Sequence, residues 1–317
     1  MYTMYHHIMI GTYRLMLIDS VEIKRSVDIL ADVAEIKVPD AQGNKVLDVE
    51  RKIQRGDRVV IQLGYKESGL VEEFRGYLQS VSTDGGDIKL VCEDDLYTLR
   101  KGLPNGTLKK VKLSSLLQHA LTAVGSKLKM KCSYDWTYDK FTFQDATVYD
   151  VLKKVQEECG ADVYIQDETL HVHPPGEVVG EERYYDFTRN VEESGLSYKR
   201  AEDKKVQVVV KSTMPDGTVK EVTVGATGGD KVEVKCTSSD EATMKQRGEV
   251  ELRRRSFDGY EGDITTWLVP YCQPGDSAKL RDVDYPQKDG VYYVKAVTTT
   301  FSSSGGKRKV ELGWRLS

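Results

Sequence analysis

The sequence predicts a mainly β chain with an α+β insert, in which two similar small antiparallel β-barrels flank a helix-hairpin module. Three observations carry this prediction. At both ends of the chain, apolar and charged residues alternate in short runs separated by Gly and Asp turns, the pattern of half-buried strands. Between those regions lie two amphipathic helix patterns, each closed by a glycine. A group of turn glycines and strands near Gly56 recurs in the same order near Gly275.

Residues 1–103 read as the first β-barrel domain. Val21-Glu-Ile-Lys-Arg25 and Ala34-Glu-Ile-Lys-Val38 alternate, with a turn expected at Asp40-Ala-Gln-Gly43. Val59, Ile61, Leu63 and Tyr65 share one face of the next strand and are expected to pack a barrel core. Phe74 to Ser82 and Asp87 to Cys92 follow, separated by the turn Asp84-Gly-Gly86. Short strands joined by such turns fit a small antiparallel barrel or sandwich.

The character changes near Gly102-Leu-Pro-Asn-Gly106, and residues 104–190 read as an α+β module. Leu116, Leu117, Ala120, Leu121 and Val124 have helical spacing, with Gly125 as the stop. A second helix runs from Thr147 to Gly160. Thr147 and Asp150 have capping-box spacing, and Val148, Val151, Leu152, Val155 and Cys159 form one stripe. Val163 to Ile165 and Leu170 to Val172 flank a polar turn and read as a hairpin.

Residues 191–317 read as a second β-barrel domain with one helix. Val206, Val208 and Val210 alternate, as do Val232, Val234 and Cys236, and Pro215-Asp-Gly217 marks a turn. The helix is expected to start near Ser238, with Glu241 three residues on, and to end before Asp258-Gly259. Its Arg253-Arg-Arg255 run reads as a solvated face. The last strand places Arg308, Val310, Leu312 and Trp314 on one side.

Composition removes whole classes of function. With 317 residues, at roughly 100–200 per domain, two or three domains are expected. A net charge of −4, from 46 basic and 50 acidic side chains, argues against a broad nucleic-acid grip. The near-apolar run Ile8 to Ile18 is too short and too polar to span a bilayer, and Met1 to His7 lacks signal-peptide character. Cytoplasmic synthesis is therefore expected. Cys92, Cys132, Cys159, Cys236 and Cys272 form no CxxC pair and read as reduced, mostly buried thiols.

Chemistry has no foothold in the sequence, and neither a catalytic residue, a metal nor a cofactor is expected. No zincin, nucleophile-elbow, dinucleotide or phosphate-loop motif is present. Gly225-Ala-Thr-Gly-Gly229 has neither the Lys-Ser/Thr nor the helix of a phosphate loop and reads as a hairpin turn. His171 and His173 share a strand face without a third ligand nearby and read as exposed edge histidines. Acidic neighbours such as Glu72-Glu73 and Asp94-Asp95 point apart and cannot place two carboxyls across a cleft. The 18 tyrosines fit sheet packing and interfaces as well as they fit sugar or base stacking.

The internal repeat is the most informative feature. Gly56-Asp57 opens a strand, then Gly76-Tyr-Leu-Gln-Ser-Val runs to Gly85-Gly-Asp-Ile-Lys-Leu-Val. Gly275-Asp276 likewise opens a strand, then Gly290-Val-Tyr-Tyr-Val runs to Gly305-Gly-Lys-Arg-Lys-Val. Gly56, Asp57, Gly76, Gly275, Asp276 and Gly290 are the candidate structural turn positions, and the match reads as duplication of one β unit.

These segments resemble the phage tail-hub (baseplate hub) proteins of the late control protein D family, which are similar to the hub part of type VI secretion spike proteins. The likeness rests on Val21 to Pro39, on Gly56-Asp-Arg-Val-Val-Ile-Gln-Leu-Gly-Tyr65 with Glu73-Phe-Arg-Gly-Tyr77, and on Phe143 to Val155 with Cys159-Gly160 and Leu170-His-Val. Asn190 to Tyr198, and Pro274-Gly-Asp276 to Val294, carry it to the C-terminus. The resemblance implies barrels of the tail-tube type and a homotrimeric ring that presents six barrels to a six-fold tail tube. It implies a structural protein of the virion tail or baseplate rather than an enzyme.

The partners it implies are the chain itself, a spike protein and the tail-tube protein, with the tape-measure protein and other baseplate proteins nearby. DNA would only pass through the channel, and no membrane insertion is implied. The chain ends at Ser317 just after the last barrel strand, so the spike is expected to be a separate protein. A carbohydrate-binding tail-tip module and a cell-wall-degrading tail enzyme are the alternatives. Within the hub class, a siphophage tail and a phage-derived contractile injection system share the fold.

Overall fold

The computed structural model describes residues 3–39, 52–84, 87–203, 205–214, 217–286 and 289–317. The expected turn at Asp40 to Gly43 lies outside these residues, and those at Asp84 to Gly86 and Pro215 to Gly217 lie partly outside. The chain is mainly β, as expected. The first β domain contains β1 (Met4–Ile10), β2 (Tyr13–Leu15), β3 (Ser20–Ser26), β4 (Val33–Val38), β5 (Arg58–Tyr65), β6 (Gly69–Asp84) and β7 (Asp87–Glu93). Alternation sets its core. Val59, Ile61 and Leu63 of β5, Ile88 and Leu90 of β7, and Ala34 and Ile36 of β4 are all fully buried in one cluster.

A small α+β module follows: β8 (Gly106–Lys112), α1 (Leu113–Ala123), β9 (Lys129–Cys132), β10 (Thr137–Phe143), α2 (Val148–Cys159), β11 (Asp162–Gln166) and β12 (Thr169–His173). The β11–β12 hairpin turns through Asp167 and Glu168, both at positive φ, and β12 adds β9 in parallel. Helix α2 starts where its caps dictate. The Thr147 hydroxyl accepts from the Asp150 N–H at 3.2 Å, and the Asp150 carboxylate accepts from the Thr147 N–H at 2.8 Å. Gly160 ends the helix in the left-handed conformation at φ 68°.

The hydroxyl and backbone of Thr147 hold the Asp150 carboxyl below its usual range. The stabilisation from this cap is therefore complete above the unfolded carboxylate pKa and is lost as pH falls through the lower folded value. Asp150→Asn is expected to cost roughly 0.5–1 kcal/mol at pH 7. Thermal melts of both proteins should converge as pH drops below the carboxylate range; a gap constant with pH would contradict the charged cap.

The C-terminal half holds β13 (Glu182–Asp186), β14 (Glu193–Ser194), β15 (Ser197–Lys199), β16 (Val206–Thr213), β17 (Val219–Gly225), β18 (Asp230–Lys235), α3 (Glu241–Arg255), β19 (Gly259–Trp267), β20 (Ser277–Arg281), β21 (Gly290–Ser302) and β22 (Gly305–Arg315). The segment from β16 to α3 does not join the second β core. Val206, Val208, Val210, Cys236 and Met244 pack instead into the cluster that holds α1 and α2. Alternation identified these strands but carries no information on which core they face. The cap of α3 also differs from expectation: Asp240, not Ser238, accepts from the Thr243 N–H at 2.8 Å.

Two five-strand units repeat one order. In the first unit the strands run β3-β4-β7-β6-β5, and in the second β14/β15-β19-β22-β21-β20. The registers match as well. Ile36 opposite Leu90 corresponds to Ile264 opposite Val310, and Val81 opposite Leu90 corresponds to Val297 opposite Val310. A register shift between Leu78 and Ser80 in β6 recurs between Val294 and Ala296 in β21. The copies differ at the outer strand, where β1 runs antiparallel to β5 but β13 runs parallel to β20.

Candidate assembly interface

The turn that opens each unit is built from the same four bonds. In the first, the Gly56 N–H donates to the Leu78 carbonyl at 2.8 Å, Leu78 N–H to Asp57 at 2.9 Å, Asp57 N–H to Gln54 at 3.0 Å, and Gln54 N–H to the Asp57 carboxylate at 2.7 Å. In the second, Gly275 donates to Val294 at 2.9 Å, Val294 to Asp276 at 2.9 Å, Asp276 to Gln273 at 3.1 Å, and Gln273 to the Asp276 carboxylate at 3.2 Å. Both glycines take positive φ, 91° and 89°. The repeat is thus Gln-x-Gly-Asp, and the glutamine is a signal that was readable in the sequence. Asp276 is buried and also binds the Glu181 N–H and the Arg183 guanidinium.

Gly76 and Gly290 are not equivalent, contrary to the alignment expected from the sequence. The turn bonds match Leu78 to Val294, which places Gly76 opposite Tyr292 in the repeat. Gly76 is required locally, because a Cβ there would lie 2.1 Å from the Glu93 carbonyl oxygen. A Cβ at Gly290 would instead meet the Arg315 side chain at 2.8 Å.

The two units are joined edge to edge. β21 pairs antiparallel with β3 from Ala296 opposite Ser26 to Ser302 opposite Ser20, and the Val27 N–H extends the ladder to the Lys295 carbonyl at 3.0 Å. Side chains reinforce the seam. Arg25 donates to Asp32 at 2.9 Å and to the Tyr271 hydroxyl at 3.0 Å, and Lys295 pairs with Asp28 at 3.2 Å. Nearby, Asp94 accepts from the Asp32 and Leu96 N–H groups at 2.9 Å each. Burial, followed by the Asp32 charge, pushes the Asp94 carboxyl well above its usual range.

Deeper in the seam lies Arg308 of β22, fully buried on the face it shares with Val310, Leu312 and Trp314. Its guanidinium bonds to Glu73 of β6, to the Leu268 carbonyl, and to the Pro270 carbonyl at 2.5 Å, with the Tyr271 ring 5.3 Å away. Glu73 is itself 3% exposed, so a charge pair isolated from water ties the first unit to the second.

The histidines do not form the expected exposed pair. His173 is buried at 5% exposure, and its ring contacts the Pro174 carbonyl at 2.9 Å and the Tyr164 hydroxyl at 3.2 Å. His171 is half-buried and stacks on Tyr164 at 4.9 Å. Asp162, beside His173, accepts from the Tyr293 hydroxyl at 2.9 Å, so this face of the hairpin packs against the second β unit. Among the described residues, no group of three or more His, Cys, Asp or Glu side chains is placed to hold a metal ion. The five cysteines are free, four of them buried. Arg253 and Arg255 are exposed, as expected of a solvated face, with Arg255 paired to Glu251 at 2.5 Å, whereas Arg254 is half-buried and pairs with Asp28 at 3.3 Å. Among the described residues no helix is long and apolar enough to cross a membrane.

The chain shares its fold with phage tail proteins and a related secretion component of known structure. Neither a family model nor a curated protein matches the sequence. Solved structures match its fold. The chain is similar to a tail protein from Neisseria meningitidis MC58 (TM-score 0.68, 14% identity, 98% of this chain and 97% of that one). It is also similar to the 43 kDa tail protein of prophage MuSo2 from Shewanella oneidensis (TM-score 0.67, 12% identity, 98% of each chain). A third is an Escherichia coli component of the type VI secretion system with structural similarity to T4 bacteriophage tail proteins gp27 and gp5 (TM-score 0.61, 9% identity, 98% of this chain and 77% of that one).

Proposed function

We propose that this chain is a structural hub of a phage tail or a related injection device, closing as a homotrimeric ring. Each subunit contributes two copies of one β unit, so the ring offers six near-equivalent units to a six-fold tail tube and three-fold symmetry to a spike. The ring lines the channel, and the spike and tail-tube proteins dock on its opposite faces. The observation that carries this reading is the duplication itself. Identical strand order, register shift and turn bonding in both units are what a chain needs to match a six-fold partner with three copies. Its role is geometric rather than catalytic: it converts one symmetry into another and opens when the spike leaves. Light scattering of the purified chain tests the ring. A mass of about 107 kDa, three times 35.7 kDa, is expected; a monomer at every concentration would overturn the proposal.

A further inference from the structure

The seam within the chain carries information about the seam between chains. β21 supplies its distal half, Ala296 to Ser302, to β3. By the register match above, the same half of the first unit is the end of β6 from Ser80 onward, because Leu78 corresponds to Val294. Its inner edge is bonded to β7, while among the described residues no strand pairs its outer edge. The copy of β3 in the second unit is the run from β14 through β15. Ser20 opposite Lys37 corresponds to Glu193 opposite Thr265, and Lys24 opposite Val33 corresponds to Ser197 opposite Glu261. That run is bonded to β19 on one side, and among the described residues no strand pairs the other.

Among the described residues, one chain therefore carries one pair of matching edges that is joined and one that no strand joins. A strand edge that no neighbouring strand joins is a template for pairing with another chain. We infer that the outer edge of β6 of one subunit pairs antiparallel with the β14–β15 edge of the next, repeating between chains the β21–β3 junction found within each. The occupant is a second copy of this chain, because the complementary half of the junction exists on it. A head-to-tail contact of this kind closes into a ring when the rotation permits. The inference rests on the trimeric ring proposed above and adds which edges meet and in what register.

Transferring the internal register fixes the pairs. Ala296 opposite Ser26 becomes Ser80 opposite Lys199, Val297 opposite Arg25 becomes Val81 opposite Tyr198, and Thr298 opposite Lys24 becomes Ser82 opposite Ser197. Val81 and Tyr198 are both 36% exposed in the single chain, whereas Val297 in the completed junction is 1% exposed. A β-branched residue opposite an aromatic one is a favourable cross-strand pair. The Val27 to Lys295 bond sets the alternation, so Ser82 and Ser197 fall at a non-hydrogen-bonded pair, where Cα atoms approach to about 4.5 Å, within disulfide reach.

The test is the Ser82→Cys/Ser197→Cys double variant under mild oxidation, read on a non-reducing gel beside light scattering of the unmodified chain. Both serines are exposed, so the replacements leave the cores untouched. The native thiols are poor competitors, since burial pushes Cys92 up to about 12 and Cys272 up to about 11. Covalent dimers and trimers that stop at three chains are expected, with each single variant remaining monomeric on the gel. The out-of-register pair Val81→Cys/Ser197→Cys should not link, because adjacent strand residues face opposite sides. A 107 kDa particle whose double variant does not link would overturn these edges and leave the ring standing. A monomer that does not link would overturn both. A ladder continuing past three would support the edges and contradict closure.

Discussion

Arg308→Met is expected to destabilise the chain by about 3–5 kcal/mol, because it leaves the Glu73 carboxylate buried without its counter-charge. Glu73 is 3% exposed and its remaining side-chain partner is the Thr299 hydroxyl at 3.5 Å, which cannot replace a guanidinium. The loss also frees the Leu268 and Pro270 carbonyls that Arg308 satisfies. The double variant Arg308→Met/Glu73→Leu removes both charges and should recover much of the loss, since apolar replacements of buried pairs are often neutral. Urea titrations of the wild type, both single variants and the double variant provide the cycle. A single-variant loss below about 1 kcal/mol would show the pair to be a spectator.

Ile61→Asp should prevent the first β unit from folding. Ile61 is fully buried in β5 between the equally buried Val59 and Leu63. Truncating such a side chain costs about 2–5 kcal/mol, and a carboxylate placed there adds the penalty of an unpaired buried group. That sum reaches the roughly 5–15 kcal/mol that holds a typical domain together. Ile61→Val, which keeps the shape, is expected to cost only about 0.5–1.5 kcal/mol. The measurement is soluble yield followed by light scattering. Soluble, trimeric Ile61→Asp protein would contradict the placement of this strand in the core.

What the sequence revealed follows from which forces are local. The β5 and β22 strands were readable because one buried face imposes a period of two, and α2 because its box and terminal Gly160 are local hydrogen-bond chemistry. The repeat was readable in its turns for the same reason. Non-local features were hidden. Val206, Val208 and Val210 announce a strand, but their burial against α3 and the middle module depends on tertiary packing. Arg308 occupies an apolar position in the alternation, and its partner Glu73 lies 235 residues away. His173 looked like an edge histidine, whereas the second β unit covers its face through Tyr293 and Asp162. The false match of Gly76 with Gly290 arose because both are turn or close-approach glycines, while their places relative to the shared register shift differ.

The duplicated unit would give the proposed ring a visible signature. With two copies per chain, a ring of three chains would set six lobes around one hole. Electron micrographs of the light-scattering peak, averaged without imposed symmetry, test this most directly. The expected average is a closed ring with a central channel and six lobes of near-equal size at 60° spacing. A compact particle without a lumen, or three separated arms with no contact between neighbouring chains, would contradict the hub.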